Sequence, residues 1–238
     1  MKIRRSNSNS RIMYFMILSI VFSSLSAYFP RAEAGSSEPS VFPRGSMPYG
    51  LGYDEWSSKW WQWFLSIPSE THPSTDADGR YCAIKQGGPV WYLAGSFGER
   101  QVRNCTVPAG KAILFPVLTS ECSYAENTDL KSPQDLRNCA TEEHEKYISR
   151  SQNVKVDGKQ INVDDFRVQS PLFNFTFSPN NLFGAPPGPT QGLSDGWFIM
   201  LEPLNPGKHL VEFSGEVSKP PPGGFSTAAT YNIDVEPN

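Results

Sequence analysis

Three histidines, His72, His144 and His209, bound the imidazole chemistry open to this chain. A Ser-His-Asp triad needs one of them, but the Gly-x-Ser-x-Gly elbow is missing, and Gly95-Ser96-Phe97-Gly98 does not supply it. His72 precedes Pro73 and reads as a turn residue. His144 lies among Glu142, Glu143 and Glu145 and reads as part of a solvated helix face. His209 shares a strand face with Val211 and Phe213, so its ring is expected to point inward and to meet a backbone carbonyl.

Carboxylates offer acid–base chemistry whose spacing is set in space and not along the chain. Glu55, Glu121 and Glu202 sit in or beside apolar segments and are the candidates for such a carboxylate pair, as in glycoside hydrolysis. Ser74-x-Asp76-x-Asp78-Gly79 has the alternating oxygens of a calcium loop. Its twelfth position is Lys85 where a bidentate Glu is required, so a plain Asp-Gly turn is expected and no metal. Nucleotide-binding glycine loops are absent, and no cofactor is implied.

The aromatic surplus, 13% of residues, is the strongest hint of binding. Flat rings on an exported β domain can stack on sugars. Trp61, Trp91 and Tyr92 are the candidate platforms, with His209 as a possible polar neighbour. Trp91 and Tyr92 are adjacent on a strand, so one should face in and the other out.

These residues need elements to hold them. Trp56, Trp60, Trp63, Phe64 and Ile67 recur at helical spacing between Tyr53 and Pro68, with Asp54 as the expected N-cap. Trp61 and Leu65 fall toward the opposite side. Short apolar or alternating runs follow at 90–94, 112–118, 154–156, 160–163, 173–177, 197–201, 209–213 and 230–235. Val156-Asp-Gly-Lys159 is a two-residue hairpin signal, and Asn205-Pro-Gly207 is a further turn. Ser132-Pro133 opens a helical insertion, about residues 123–150, with a second short helix expected over 141–149. The Pro/Gly stretches at 185–192 and 219–224 read as exposed loops. The fold expected is mainly β: a β-sandwich or jelly-roll-like domain over 53–238, with an N-terminal Trp-rich helix.

Lys2, Arg4 and Arg5 precede an apolar run from Ile12 to Phe29, and Ala32-Glu33-Ala34 offers a cleavage site. Residues 1–34 therefore read as a signal peptide and 35–52 as a flexible leader. The alternative is a membrane anchor formed by residues 12–29. Export makes a disulfide framework of Cys82, Cys105, Cys122 and Cys139. Three pairings are possible. Cys82–Cys105 and Cys122–Cys139 are favoured, because each closes a local loop of about twenty residues. A four-Cys zinc site is disfavoured by the lack of Cys-x-x-Cys. Beyond residue 34 the chain holds 16 basic and 23 acidic side chains, a net of −7. Nucleic acid is thus an unsuitable partner.

The strings YDEWSSKWWQWFLSIP, QGGPVWYLAGSFG, CTVPAGKAILFPVLTSECS, VQSPLFNFTF and DGWFIMLEPLNPGKHLVEFSGEV resemble a family of exported prokaryotic proteins with a Trp-rich WWQW helix before a disulfide-containing β-rich domain. The resemblance covers residues 53–235 and implies no activity. Relatives carry a second His in the strand that reads HLVEF here, where this chain has Glu212, so a two-His metal site is not implied. The leading functional expectation is a non-enzymatic module binding a glycan or envelope component. A protein-interaction module and a secreted hydrolase are the alternatives.

Overall fold

The computed structural model describes residues 39–145, 149–218 and 224–237. The expected signal peptide lies outside them. Helix α1 spans Tyr53–Leu65 and α2 spans Pro133–Glu145. Ten strands follow in chain order: β1 Val90–Tyr92, β2 Gln101–Pro108, β3 Ala112–Ser123, β4 Ser149–Val156, β5 Lys159–Gln160, β6 Arg167–Gln169, β7 Phe173–Phe177, β8 Gly188–Leu201, β9 Gly207–Ser218 and β10 Gly224–Glu236. One sheet runs β1-β3-β8-β6, with β7 also on β8, and the other runs β2-β10-β9-β4-β5. The mainly β expectation holds, including the Trp-rich helix.

Three layers result. Ile113 and Phe115 of β3 and Ile199 and Leu201 of β8 enter a core shared with Val211 and Phe213 of β9 and Tyr231 and Ile233 of β10. Their neighbours Ala112, Leu114, Phe198 and Met200 point the other way, into a second core under α1. Central strands covered on both faces read as continuous apolar runs, and ILFPVL and WFIML are such runs. Strands β2 and β10 alternate buried and exposed residues, because the outer face of their sheet meets solvent. Pro116 has no N–H to give the β3–β8 ladder, and the register shifts between Pro116 and Leu118.

The hairpin at Asp157-Gly158 forms as its sequence demands, with φ of 50° and 79° at the two positions. Both favoured disulfides are present, Cys82–Cys105 and Cys122–Cys139, and they fit an oxidising compartment. The second ties α2 to the end of β3.

Several expectations need correction. Residues 39–52 are pinned and are no loose leader: Val41 bridges Leu201, the Phe42 N–H donates to Met200 O (2.9 Å), and the Glu202 N–H donates to Ser40 O (2.9 Å). The N-cap lies two residues before the expected Asp54: it is Gly52, and Glu55 accepts from its N–H (3.0 Å). The second helix expected over 141–149 is replaced by the end of α2, which runs through to Glu145, and by β4 from Ser149; residues 146–148 lie outside the described residues. Residues 188–192 are not loop but the start of β8, paired with β7. Among the described residues no helix is long and apolar enough to cross a membrane.

Candidate functional site

A cavity of about 340 Å³ opens beside α1, walled by β3 from Pro116 to Glu121 and by the turn Gly95-Ser96-Phe97. Each wall has a sequence cause. Trp60, Trp61 and Phe64 reach it from α1, whose apolar arc is wider than one stripe. The indole N–H groups of that helix land on separate loops. Trp56 donates to Pro48 O (2.9 Å), Trp60 to Leu93 O (2.9 Å) and Trp63 to Ile84 O (3.0 Å). Trp61 donates to Thr119 Oγ1 (3.3 Å), on the cavity wall. Gly95 allows its turn to close over β10, since a Cβ there would lie 2.0 Å from Thr227 Oγ1.

The mouth is aromatic. Phe97, Phe183 and Phe225 are 51%, 42% and 37% exposed, and all three line the opening. Phe97 and Phe225 meet edge to face at 6.3 Å, and Phe183 leans on Phe64. Exposed rings gathered at one opening are unlike the scattered apolar residues of an ordinary surface.

Two carboxyl groups complete the lining, Glu121 and Glu126. Glu126 Oε2 accepts from the Ser123 hydroxyl at 2.5 Å. Glu121 is half-buried as a residue, yet its Oε1 is sealed from solvent and has no hydrogen-bond partner. Gly192 makes room for it, because a Cβ there would stand 2.3 Å from Oε1. Burial, and secondarily the neighbouring Glu126 carboxyl, push the Glu121 carboxyl well above the usual carboxylate range.

Behind the wall, Arg103 is fully buried and donates to four backbone carbonyls: Asp76 O (2.7 Å), Ala94 O (2.6 Å), Ser74 O (3.1 Å) and, at its longest, Gly95 O (3.5 Å). It also donates to the Tyr231 hydroxyl (2.9 Å). One guanidinium thus fixes both the Ser74 and the Gly95 parts of the lining. Asp76 is turn chemistry, as its carboxylate accepts from the N–H groups of Asp78, Gly79 and Tyr81. Among the described residues no group of acids, His and Cys is arranged to hold a metal ion.

Of the four candidate ligand-binding residues, the cavity takes only Trp61, and that residue is 6% exposed. It is not on an open opposite face, because β3 and the cavity wall cover that side of α1. Trp91 is buried between the sheets. Tyr92 packs on Trp63 at 5.4 Å, and burial pushes its hydroxyl up to about 12. Trp91 is closed from water and Tyr92 is half-buried, since the β1–β3–β8 sheet is covered on both sides. His209 sits on the expected face but at the sheet's rim. Its Nδ1 meets Asp157 Oδ2 (2.7 Å) and its Nε2 donates to Asn205 O (2.8 Å), joining two turns away from the cavity lining.

His144 is buried and not on a solvated face, with Nε2 on Ser120 Oγ (2.9 Å) and Asp195 O (2.8 Å). Asp195 is itself 0% exposed and takes a bidentate pair from Arg167 at 2.8 and 3.0 Å. That cluster locks α2 and β6 onto β8. Glu121, one of the three carboxylates noted beside apolar segments, is a cavity residue; Glu126, Arg103 and the rim phenylalanines were missed. The apolar flank of Glu121 was the one usable signal.

No protein-family model matches the chain, and neither a curated protein nor a solved structure matches it.

Proposed function

We propose that the protein is an exported, non-enzymatic binding module that holds a small, largely apolar ligand in the cavity beside α1. The gathering of Phe97, Phe183 and Phe225 at one mouth carries this reading. A cavity of about 340 Å³ with mainly apolar walls and a few polar groups has the character of a small-molecule site. Export is supported by the N-terminal basic, apolar and small-residue zones and by the two disulfides. A glycan stacked on an open Trp strip is less well supported, because Trp61 and Trp91 are buried.

The test is a fluorescence titration with neutral N-phenyl-1-naphthylamine. Saturable 1:1 binding is expected, weakened about tenfold or more in Phe97→Ala/Phe225→Ala, whose side chains are exposed and can be removed without opening the core. Absence of saturable binding, or binding indifferent to that double variant, overturns the reading. One observation favours hydrolysis as a second reading: a buried, raised Glu121 beside Glu126 has the form of an acid–base pair. Turnover of nitrophenyl glycosides that disappears in Glu121→Gln would move that reading to first place.

A further inference from the structure

Resting on that reading of the cavity, we propose that its ligand is an organic cation: an ammonium group on an apolar body, seated between Glu121, Glu126 and the indole faces of α1. The first support is the charge inventory of the lining. Glu121 and Glu126 are the ionisable side chains in it, and no Lys, Arg or His is among the lining residues. An anionic head group would meet two carboxyls and no counter-charge.

The second support is the aromatic wall. Trp60, Trp61, Phe64, Phe97, Phe183 and Phe225 all border the space. The face of such a ring is its electronegative side, and cations are drawn to it within about 6 Å of the centroid. Carboxyls and aromatic rings together give a lining that favours positive over negative charge, and the Arg103 guanidinium behind it is taken up by the Ser74, Ala94 and Gly95 carbonyls.

The third support is the strain on the Glu121 carboxyl. Its Oε1 is sealed from solvent with no donor on it and packs toward Gly192, while the residue as a whole is only half-buried and lines the cavity. A cation seated against the accessible part of this carboxyl would offset the cost of burying it. Its partner carboxyl Glu126 is already engaged by Ser123, which leaves Glu121 as the anchor. Burial, with the Glu126 carboxyl beside it, favours the protonated form of the Glu121 carboxyl. An entering ammonium replaces that proton: Glu121 carboxyl and free ammonium give a carboxylate–ammonium pair, and one H⁺ leaves to solvent. Acidity elsewhere in the exported part, −7 overall, would steer a cation toward the protein.

Calorimetric titration with three probes of one shape tests this: 2-phenylethylamine, 2-phenylethanol and phenylacetate. The amine is expected to bind at least about tenfold more tightly than the alcohol, and phenylacetate more weakly than either. Amine binding should release a proton, seen as an enthalpy that changes with the ionisation enthalpy of the buffer. Glu121→Gln should abolish both the amine's advantage over the alcohol and the proton release. Gln has the shape of the protonated Glu, so this variant keeps the fold. Glu126→Gln, at an exposed position, should cut the amine's advantage alone. If the alcohol binds as tightly as the amine, the cation proposal falls and the apolar cavity reading survives. If none of the three binds at millimolar concentration, both fall.

Discussion

His72 shows how one buried ring can decide the pH range of the fold. The Ser74 N–H donates to its Nδ1 (3.2 Å), which makes Nδ1 the acceptor and leaves Nε2–H to donate to Phe64 O (3.0 Å), near the end of α1. That network fits the neutral ring alone. Burial, ahead of the charge of Arg103, lowers the His72 pKa from 6.5 to about 4. The unfolded chain therefore takes up a proton between those values that the native chain refuses. Stability from this source is complete above pH 6.5 and is lost as pH falls toward 4. The amount is on the order of 3 kcal/mol. Urea midpoints should drop between pH 7 and pH 4.5 in the wild type and drop less in His72→Gln. An equal drop in both would remove His72 as the cause. His72 was legible as a turn residue from His-Pro, but its burial depends on α1 and Arg103, which no local pattern reports.

At the scale of elements, legibility followed hydropathy. Strand β7, Phe173–Phe177, alternates buried and exposed positions and is found where its sequence places it. Strand β2 went unread because Arg103 and Cys105 fill its first two buried positions, so polar letters stand where a core face was sought. The end of β3 was hidden by Thr119, Ser120 and Glu121 for the same reason, and that hidden end is the cavity wall. The α1 stripe was legible, but a single stripe understated it, since Trp61 and Leu65 are buried too. A helix beside a cavity is enclosed without being filled against. Trp60 is stacked on Phe64 and meets Phe198, so Trp60→Ala should cost about 3–5 kcal/mol. Trp61 has the cavity on one side, so Trp61→Ala should cost less, about 1–3 kcal/mol, and should also remove binding of the naphthylamine probe. Thermal melts alongside titrations separate the two effects. A Trp61→Ala protein that melts below Trp60→Ala would show the faces assigned wrongly.

For the whole molecule, the long strand β8 poses the largest problem, and the chain solves it in pieces. One side of β8 is held by β3 from Gly192 to Leu201. The other side is tiled by β7 against 188–192, by β6 against 195–197, and by residues 40–42 against 200–202. An uncovered edge is a template for pairing with another chain. The third tile comes from the segment whose Ser, Pro and Gly content suggested a loose leader, and composition misleads here because an edge segment needs backbone groups more than side chains. It also bonds to α1 and β6: the Tyr53 hydroxyl donates to Phe42 O (2.7 Å), Trp56 Nε1 donates to Pro48 O (2.9 Å), and Arg44 of the segment donates to Arg167 O (3.2 Å). Deleting residues 39–51 would strip these bonds and leave buried Tyr53 and Trp56 without acceptors. At about 1 kcal/mol for each bond, the loss comes to about 3–5 kcal/mol. For a domain of this size the melting temperature should then fall by roughly 10 °C or more. The exposed end of β8 should also make the shortened protein associate at high concentration, as light scattering would show. A shortened protein that melts with the full-length one and stays monomeric would mean that the edge is protected by β6 and β7 alone.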